Sequence, residues 1–301
     1  MKDHSIPNTL QAWSRPSAYH LTIRGFASHD TSKPLLHFLH GNGMCGLTYW
    51  PMLSELQKDF DLLITDVQGH GDSDSGERFL GWNTNAEICA GVLRHHLSLT
   101  ADSRRPVFGV AHSLGGALTT MMAADHPDLF DKLVLLDPVY FSRGMLGAMA
   151  ALHYTGLLER LSPLARRAQK RRTDWPSRAA AANYLRERGI FQNWDEEALQ
   201  CFVRYAMREN EEGRIQLKCP SWLEAKIFAS YPQGLWRKIR SLNVPVHLLM
   251  AEQTFPFAAR SAQTASSANS CFVTETVPGG HCFMQEYPQQ SADRVRALLL
   301  S

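Results

Sequence analysis

The 301-residue chain predicts an α/β fold: a mostly parallel sheet flanked by helices, with a helical cap inserted between two of its strands. Three observations predict it. Short apolar runs bounded by turn residues alternate with segments of helical period, as in doubly wound sheets. The alternation breaks between about 139 and 240, where the chain reads helical. And 44% hydrophobic against 20% charged residues is enough to bury the core that such a domain needs.

In chain order, LLHFLH (35–40) is the first clear strand, followed by a helix whose face carries Trp50, Leu53, Leu56 and Phe60. DLLITDV (61–67) is the second strand. The next helix presents Ile88, Val92, Leu93 and Leu97, and Thr84 with Glu87 makes a capping-box pattern at its start. PVFGVAH (106–112) is a strand, GALTTMMAADH a helix, and KLVLLD (132–137) a strand. VPVHLLMA (244–251) and CFVTETV (271–277) complete the set. Runs of this kind suit strands covered on both faces. The expected division is a core of residues 1–138 and 241–301 with a cap at 139–240. In the cap, the run RRAQKRR (166–172) reads first as a solvated helix face, and second as a patch that attracts an anionic substrate.

Composition excludes several function classes. A net charge of +2 predicts no nucleic-acid partner. The first sixteen residues, MKDHSIPNTLQAWSRP, lack the apolar stretch of a signal peptide. No run of about 18 apolar residues predicts a membrane span. Six scattered cysteines without a C-x-x-C pair predict no disulfide framework and no zinc site. A cytoplasmic protein with reduced thiols is the expectation. His95 and His96, adjacent on a helix, point to different faces and cannot share a metal. Nothing in the pattern specifies a homo-oligomer.

Four motifs carry chemistry. The stretch GVAHSLGG (109–116) follows a strand and opens a helix, the context of a nucleophile elbow around Ser113. The sharp turn requires small residues two before and two after the serine, and Ala111 and Gly115 supply them. The Leu114 N–H then lies at a helix N-terminus, where it can donate to an oxyanion. HGNG (40–43) follows the first clear strand, and its glycines allow close approach of the backbone to a ligand. DVQGHGDS (66–73) follows the next strand and shapes the neighbouring loop, with no catalytic role for His70. PGGHCFMQEYP places His281 after the last strand, late enough to return to the serine as general base. Cys45 and Cys282, beside the loop and the histidine, are candidates to line a pocket.

Together, HGNG, D-x-x-G-H-G-x-S, A-H-S-L-G and the late G-G-H, in this order, resemble the α/β-hydrolase superfamily over nearly the whole chain outside the cap. The resemblance implies the α/β-hydrolase fold, Ser113 as nucleophile, His281 as base, and Asn42 and Leu114 as oxyanion N–H donors. It implies hydrolysis of a carboxylic ester in a small-molecule acyl substrate, without a cofactor or metal. Dehalogenases and epoxide hydrolases of this fold carry Asp at the elbow, and this chain has Ser.

The triad acid departs from the pattern. Most of the superfamily places it after the strand that follows the cap, where this chain reads MAEQTFPF, with Thr254 at the matching position. Two carboxylates remain. Asp137 ends the strand after the nucleophile helix, in LLDPVYF. Glu252 lies two residues before the usual position, which keeps its face but moves it about 6.6 Å back along the strand. Asp137 is the first choice and Glu252 the alternative. The missing acid at 254 also motivates a second hypothesis, a ligand-binding or scaffold protein with an impaired triad. Thioesterase, lactonase, amidase, C–C hydrolase and acyltransferase chemistry would use the same residues.

Overall fold

The computed structural model describes residues 6–29, 31–99, 105–155 and 157–301; the first five residues of the N-terminal stretch read above lie outside these. The chain runs through β1 (Leu10–Pro16), β2 (Thr22–Ser28), β3 (Leu35–Leu39), β4 (Asp61–Thr65), β5 (Val107–His112) and β6 (Lys132–Leu136). Three short strands follow: β7 (Asp174–Trp175), β8 (Met207–Glu209) and β9 (Ile215–Leu217). β10 (Val246–Gln253) and β11 (Phe272–Gly280) close the order. The main sheet reads β1-β2-β4-β3-β5-β6-β10-β11. β4 to β11 are parallel, and β1–β2 and β2–β4 are antiparallel.

The expected α/β sheet is therefore present, with two additions. The β1–β2 hairpin extends one edge; its strands are partly exposed, so they lack the continuous apolar run that made the inner strands readable. β3, β4 and β5 are buried along their whole length. Apolar clusters cover both faces. One packs helices Trp82–Leu99, Leu114–Asp125, Leu235–Ser241 and Pro256–Ala268, and the other packs Trp50–Leu56 and Pro288–Leu300. The helix expected to start near Thr84 begins at Trp82, so Thr84 sits inside its first turn.

The segment between β6 and β10 is not wholly helical, as its sequence suggested. β7, β9 and β8 form a small antiparallel sheet. These strands have two or three residues each, too short for an alternation to register. Helix Leu235–Ser241 packs on Leu114–Asp125 and Pro256–Ala268 rather than above the sheet edge. The rest of the segment is anchored by helix Glu196–Tyr205, which packs on the 3-10 turn Gly46–Tyr49 and helix Trp50–Leu56. Helix Pro163–Lys170 buries Ala165 and Ala168 against Ala225 and Ala229 of the neighbouring helix region. No helix is long and apolar enough to cross a membrane among the described residues.

The strand order positions the site. β4 lies on one side of β3 and β5 on the other, so the chain reverses direction of growth between β3 and β5. In open α/β sheets the crevice outside the carboxyl ends at such a switch is where ligands bind. HGNG leaves β3 and the serine turn leaves β5, at that crevice.

Four histidines are buried in the fold, and their titration has a consequence for stability. Burial pushes His37 and His40 from 6.5 down to about 3 and His70 to about 4, and holds His112 well below its usual range. In the unfolded chain the same groups protonate near their ordinary value. Between 6.5 and about 4 the unfolded state therefore binds more protons, and stability falls as pH falls through that window. Asp66, which burial raises to about 6, and Glu224 and Glu286, both raised by burial, pull the other way. His247, also lowered by burial, joins the four, and the five histidines outweigh the three carboxyls. The unfolding midpoint is expected to drop by at least about 5 °C between pH 7.5 and pH 5 in scanning calorimetry. A midpoint that holds or rises would contradict this.

Candidate active site

Ser113 stands at the end of β5 with φ 53° and ψ −112°, a backbone conformation that costs energy for a residue with a side chain. The strain follows from the sharp turn into helix Leu114–Asp125, and the turn is possible because its neighbours are small. A Cβ added at Gly115 would meet Leu39 O at 2.4 Å and His40 O at 2.7 Å. Gly115→Ala is expected to destabilise the fold by about 2 kcal/mol or more in urea denaturation. Gly144→Ala, where an added Cβ meets nothing within 4 Å in a helix, should be neutral or stabilising. Equal effects of the two would refute the tight packing at the turn.

His281 Nε2 lies 3.0 Å from Ser113 Oγ. His281 Nδ1 lies 2.5 Å from Asp137 Oδ2. Asp137 is fully buried just after β6 and, like Ser113, has a positive φ, 44°. Its carboxylate accepts two further hydrogen bonds: Ala251 N–H to Oδ1 at 3.1 Å and Thr254 Oγ1–H to Oδ2 at 2.5 Å. Thr254, which cannot itself be the acid, thus donates to the residue that reaches the histidine. A carboxylate only accepts, so His281 Nδ1 carries the hydrogen and Nε2 is left to accept from the serine hydroxyl. Such a chain can withdraw a proton from Ser113 and hold the imidazolium that results.

Glu252 is not part of this cluster. It is exposed, at the point where the β10–β11 register slips between Ala251 and Gln253. The slip breaks the alternation that placed Glu252 on the face of residue 254.

Asn42 and Leu114 line the same cavity as Ser113 and His281. Neither main-chain N–H has an acceptor among the described residues. The loop carrying Asn42 is held on all sides. His40 donates from Nδ1 to Gly41 O at 2.8 Å and accepts Val67 N–H at Nε2, 3.0 Å. His70 donates from Nδ1 to Gln68 O at 2.9 Å, so its Nε2 accepts Gly43 N–H at 2.9 Å. His70 therefore stays neutral and braces the loop, which gives the DVQGHGDS stretch its architectural role. From above, Glu224 O accepts from Asn42 Nδ2 at 3.3 Å.

Sequence reading missed His112. Its Nε2 donates to His281 O at 2.9 Å, so its Nδ1 accepts the Tyr49 hydroxyl at 2.6 Å. It ties the elbow to the turn that carries the base. Phe255 was also missed as a site residue; its ring lies 4.9 Å from that of His281. Of the two cysteines expected near the pocket, Cys282 lines it and Cys45 does not. Cys45 is buried against Thr48. All six cysteines are unpaired.

The cavity above Ser113 encloses about 700 Å³, between the sheet edge and the segment that follows β6. Its floor is polar. Phe141, Phe255 and Phe257 line one part, and Arg167, Lys170, Arg171 and Arg172 another. The run 166–172 is therefore not only a solvated face.

Comparison with known proteins agrees with the fold. Residues 38–294 match the model of a family described as the alpha/beta hydrolase family. Mouse (Mus musculus) monoglyceride lipase is 32% identical over 124 residues, 40% of this chain and 40% of that protein. A 2-(acetamidomethylene)succinate hydrolase of Mesorhizobium japonicum is 32% identical over 106 residues, 35% of this chain and 36% of that protein. The chain thus matches about two fifths of the length of these curated relatives. Among solved structures, E-2-(acetamidomethylene)succinate hydrolase superposes with a TM-score of 0.74 at 21% identity, covering 97% of this chain and 100% of that one. The thioesterase domain from the curacin biosynthetic pathway gives 0.73 at 18% identity, over 98% and 100%.

Proposed function

Because this chain belongs to the alpha/beta hydrolase family, we propose that it is a serine hydrolase that cleaves a carboxylic ester of a small-molecule substrate through an acyl-enzyme. The observation that carries the reading is the uninterrupted hydrogen-bond chain Ser113–His281–Asp137, buried at its acid end and open to the cavity at its serine end.

Ser113 Oγ attacks the acyl carbon while His281 Nε2 takes its proton. The negative charge that develops on the carbonyl oxygen is met by the N–H groups of Asn42 and Leu114, each commonly worth about 3 kcal/mol in such sites. The imidazolium gives its proton to the departing alkoxide. Water then enters, loses a proton to His281 and releases the acid by the reverse path. No cofactor takes part in these steps.

The same residues serve a thioester or a C–C bond, and relatives of this chain are named for lipase, thioesterase and succinate-derivative hydrolase activity. The ester reading is preferred because the aromatic part of the cavity beside His281 suits an apolar alcohol leaving there. The scaffold alternative is less well supported, since Asp137 stands within hydrogen-bond reach of His281 where the residue at 254 cannot act as an acid. The test is labelling by a fluorophosphonate together with turnover of 4-nitrophenyl esters. Stoichiometric modification of Ser113 with ester turnover supports the reading. Folded protein that neither labels nor turns over esters overturns it.

A further inference from the structure

Cationic side chains collect at the mouth of the cavity over Ser113. Arg167 and Lys170 follow the three-residue spacing that shares one helix face, and Arg171 follows directly after the helix end. Arg172 and Arg188 join them along the cavity lining. The only carboxylate in that lining, Glu224, pairs with Arg171 at 2.7 Å. Arg167 and Lys170 have no ion-pair partner among the described residues. Arg172 and Arg188 are held by stacking on Tyr184, with their guanidinium carbons 5.2 and 4.7 Å from its ring centre.

The other wall is different. Phe255 stacks on Phe257 at 5.7 Å and Phe257 on Phe141 at 5.6 Å, an apolar surface that begins beside His281. A wholly apolar substrate would use this wall and leave the cations mutually repelling. An anionic group would relieve the repulsion, because charge-assisted hydrogen bonds to guanidinium and ammonium groups are strong in a partly closed site. These cations are solvent-exposed but rim the mouth of the cavity over Ser113, where they meet a molecule that enters it.

We propose that the substrate carries a carboxylate or phosphate group, recognised by Arg167, Lys170, Arg172 and Arg188, with its apolar part on the Phe141–Phe257–Phe255 wall. This rests on the hydrolase reading and names its substrate class.

The test compares matched pairs. For a charge on the acyl part, the probes are the 4-nitrophenyl monoester of suberic acid and 4-nitrophenyl octanoate. For a charge on the leaving group, they are octanoyl-coenzyme A and the octanoyl thioester of N-acetylcysteamine. In at least one pair the anionic member should have a kcat/KM higher by about tenfold or more. The advantage should shrink in 0.5 M NaCl. It should collapse in the double variant Arg167→Gln/Lys170→Gln and persist in Arg166→Gln, an exposed neighbour outside the cavity lining. The pair that shows the effect says which part of the substrate bears the charge. Equal or better turnover of the neutral member in both pairs overturns the proposal while leaving the hydrolase reading intact. Should no probe be turned over, the hydrolase reading fails, and calorimetry with suberate decides the charge reading. Binding that weakens in the double variant supports it, and absence of binding overturns it.

Discussion

Ser113→Ala is expected to lower kcat/KM for a 4-nitrophenyl ester by roughly 10⁴-fold or more and to abolish fluorophosphonate labelling. The effect is large because the variant removes the atom that bonds to the substrate, and no other group on the cavity floor can replace it. Cys282 also lines the cavity, but burial holds its thiol far above the usual range, so it is not a thiolate at neutral pH. The fold should survive. Alanine is smaller than serine, and Ser113 Oγ makes no hydrogen bond except to His281. Circular dichroism and the unfolding midpoint would verify this. Residual activity within about tenfold of the native protein would place the nucleophile elsewhere.

Asp137→Asn is expected to cost roughly 10⁴-fold in kcat with little change in KM, whereas Glu252→Gln should stay within about twofold. The reason is tautomeric. The asparagine oxygen would still accept Ala251 N–H, which leaves its NH₂ group facing His281 Nδ1. That nitrogen would then accept, and the hydrogen would move to Nε2, where it opposes the serine hydroxyl. Thr254→Val tests the support of the acid. It removes one hydrogen bond to a carboxylate, of order 1.5–3 kcal/mol, so kcat should fall by about tenfold or more. Single-turnover assays on the three variants separate these outcomes. A collapse in Glu252→Gln with activity retained in Asp137→Asn would reverse the assignment of the acid.

Much of this site was legible in the chain because its parts are local. A strand, a sharp turn and a helix need small residues at fixed offsets from Ser113, and Ala111 and Gly115 occupy them. HGNG and the glycine turn before His281 are likewise patterns within a few residues. The inner strands could be read since burial on both faces demands an unbroken apolar run. β1 and β2, half-exposed, and β7 to β9, two or three residues each, carry no such run.

The acid could not be chosen from sequence alone. Asp137 and Thr254 lie 117 positions apart yet meet, because β6 and β10 are neighbours in the sheet. The slip in register that turns Glu252 outward is a property of the paired strands, not of either one. The basic run posed the same problem: its spacing defines a helix face, but only the packing of Ala165 and Ala168 against Ala225 and Ala229 aims that face at the cavity. Sequence by itself determined the turn that carries Ser113, the turn that carries His281 and the strand-and-helix alternation, since each depends on short-range backbone geometry and burial. Tertiary structure decided which carboxylate meets His281, its threonine partner and the placement of the cations, since each depends on which strands and helices become neighbours once the sheet has formed.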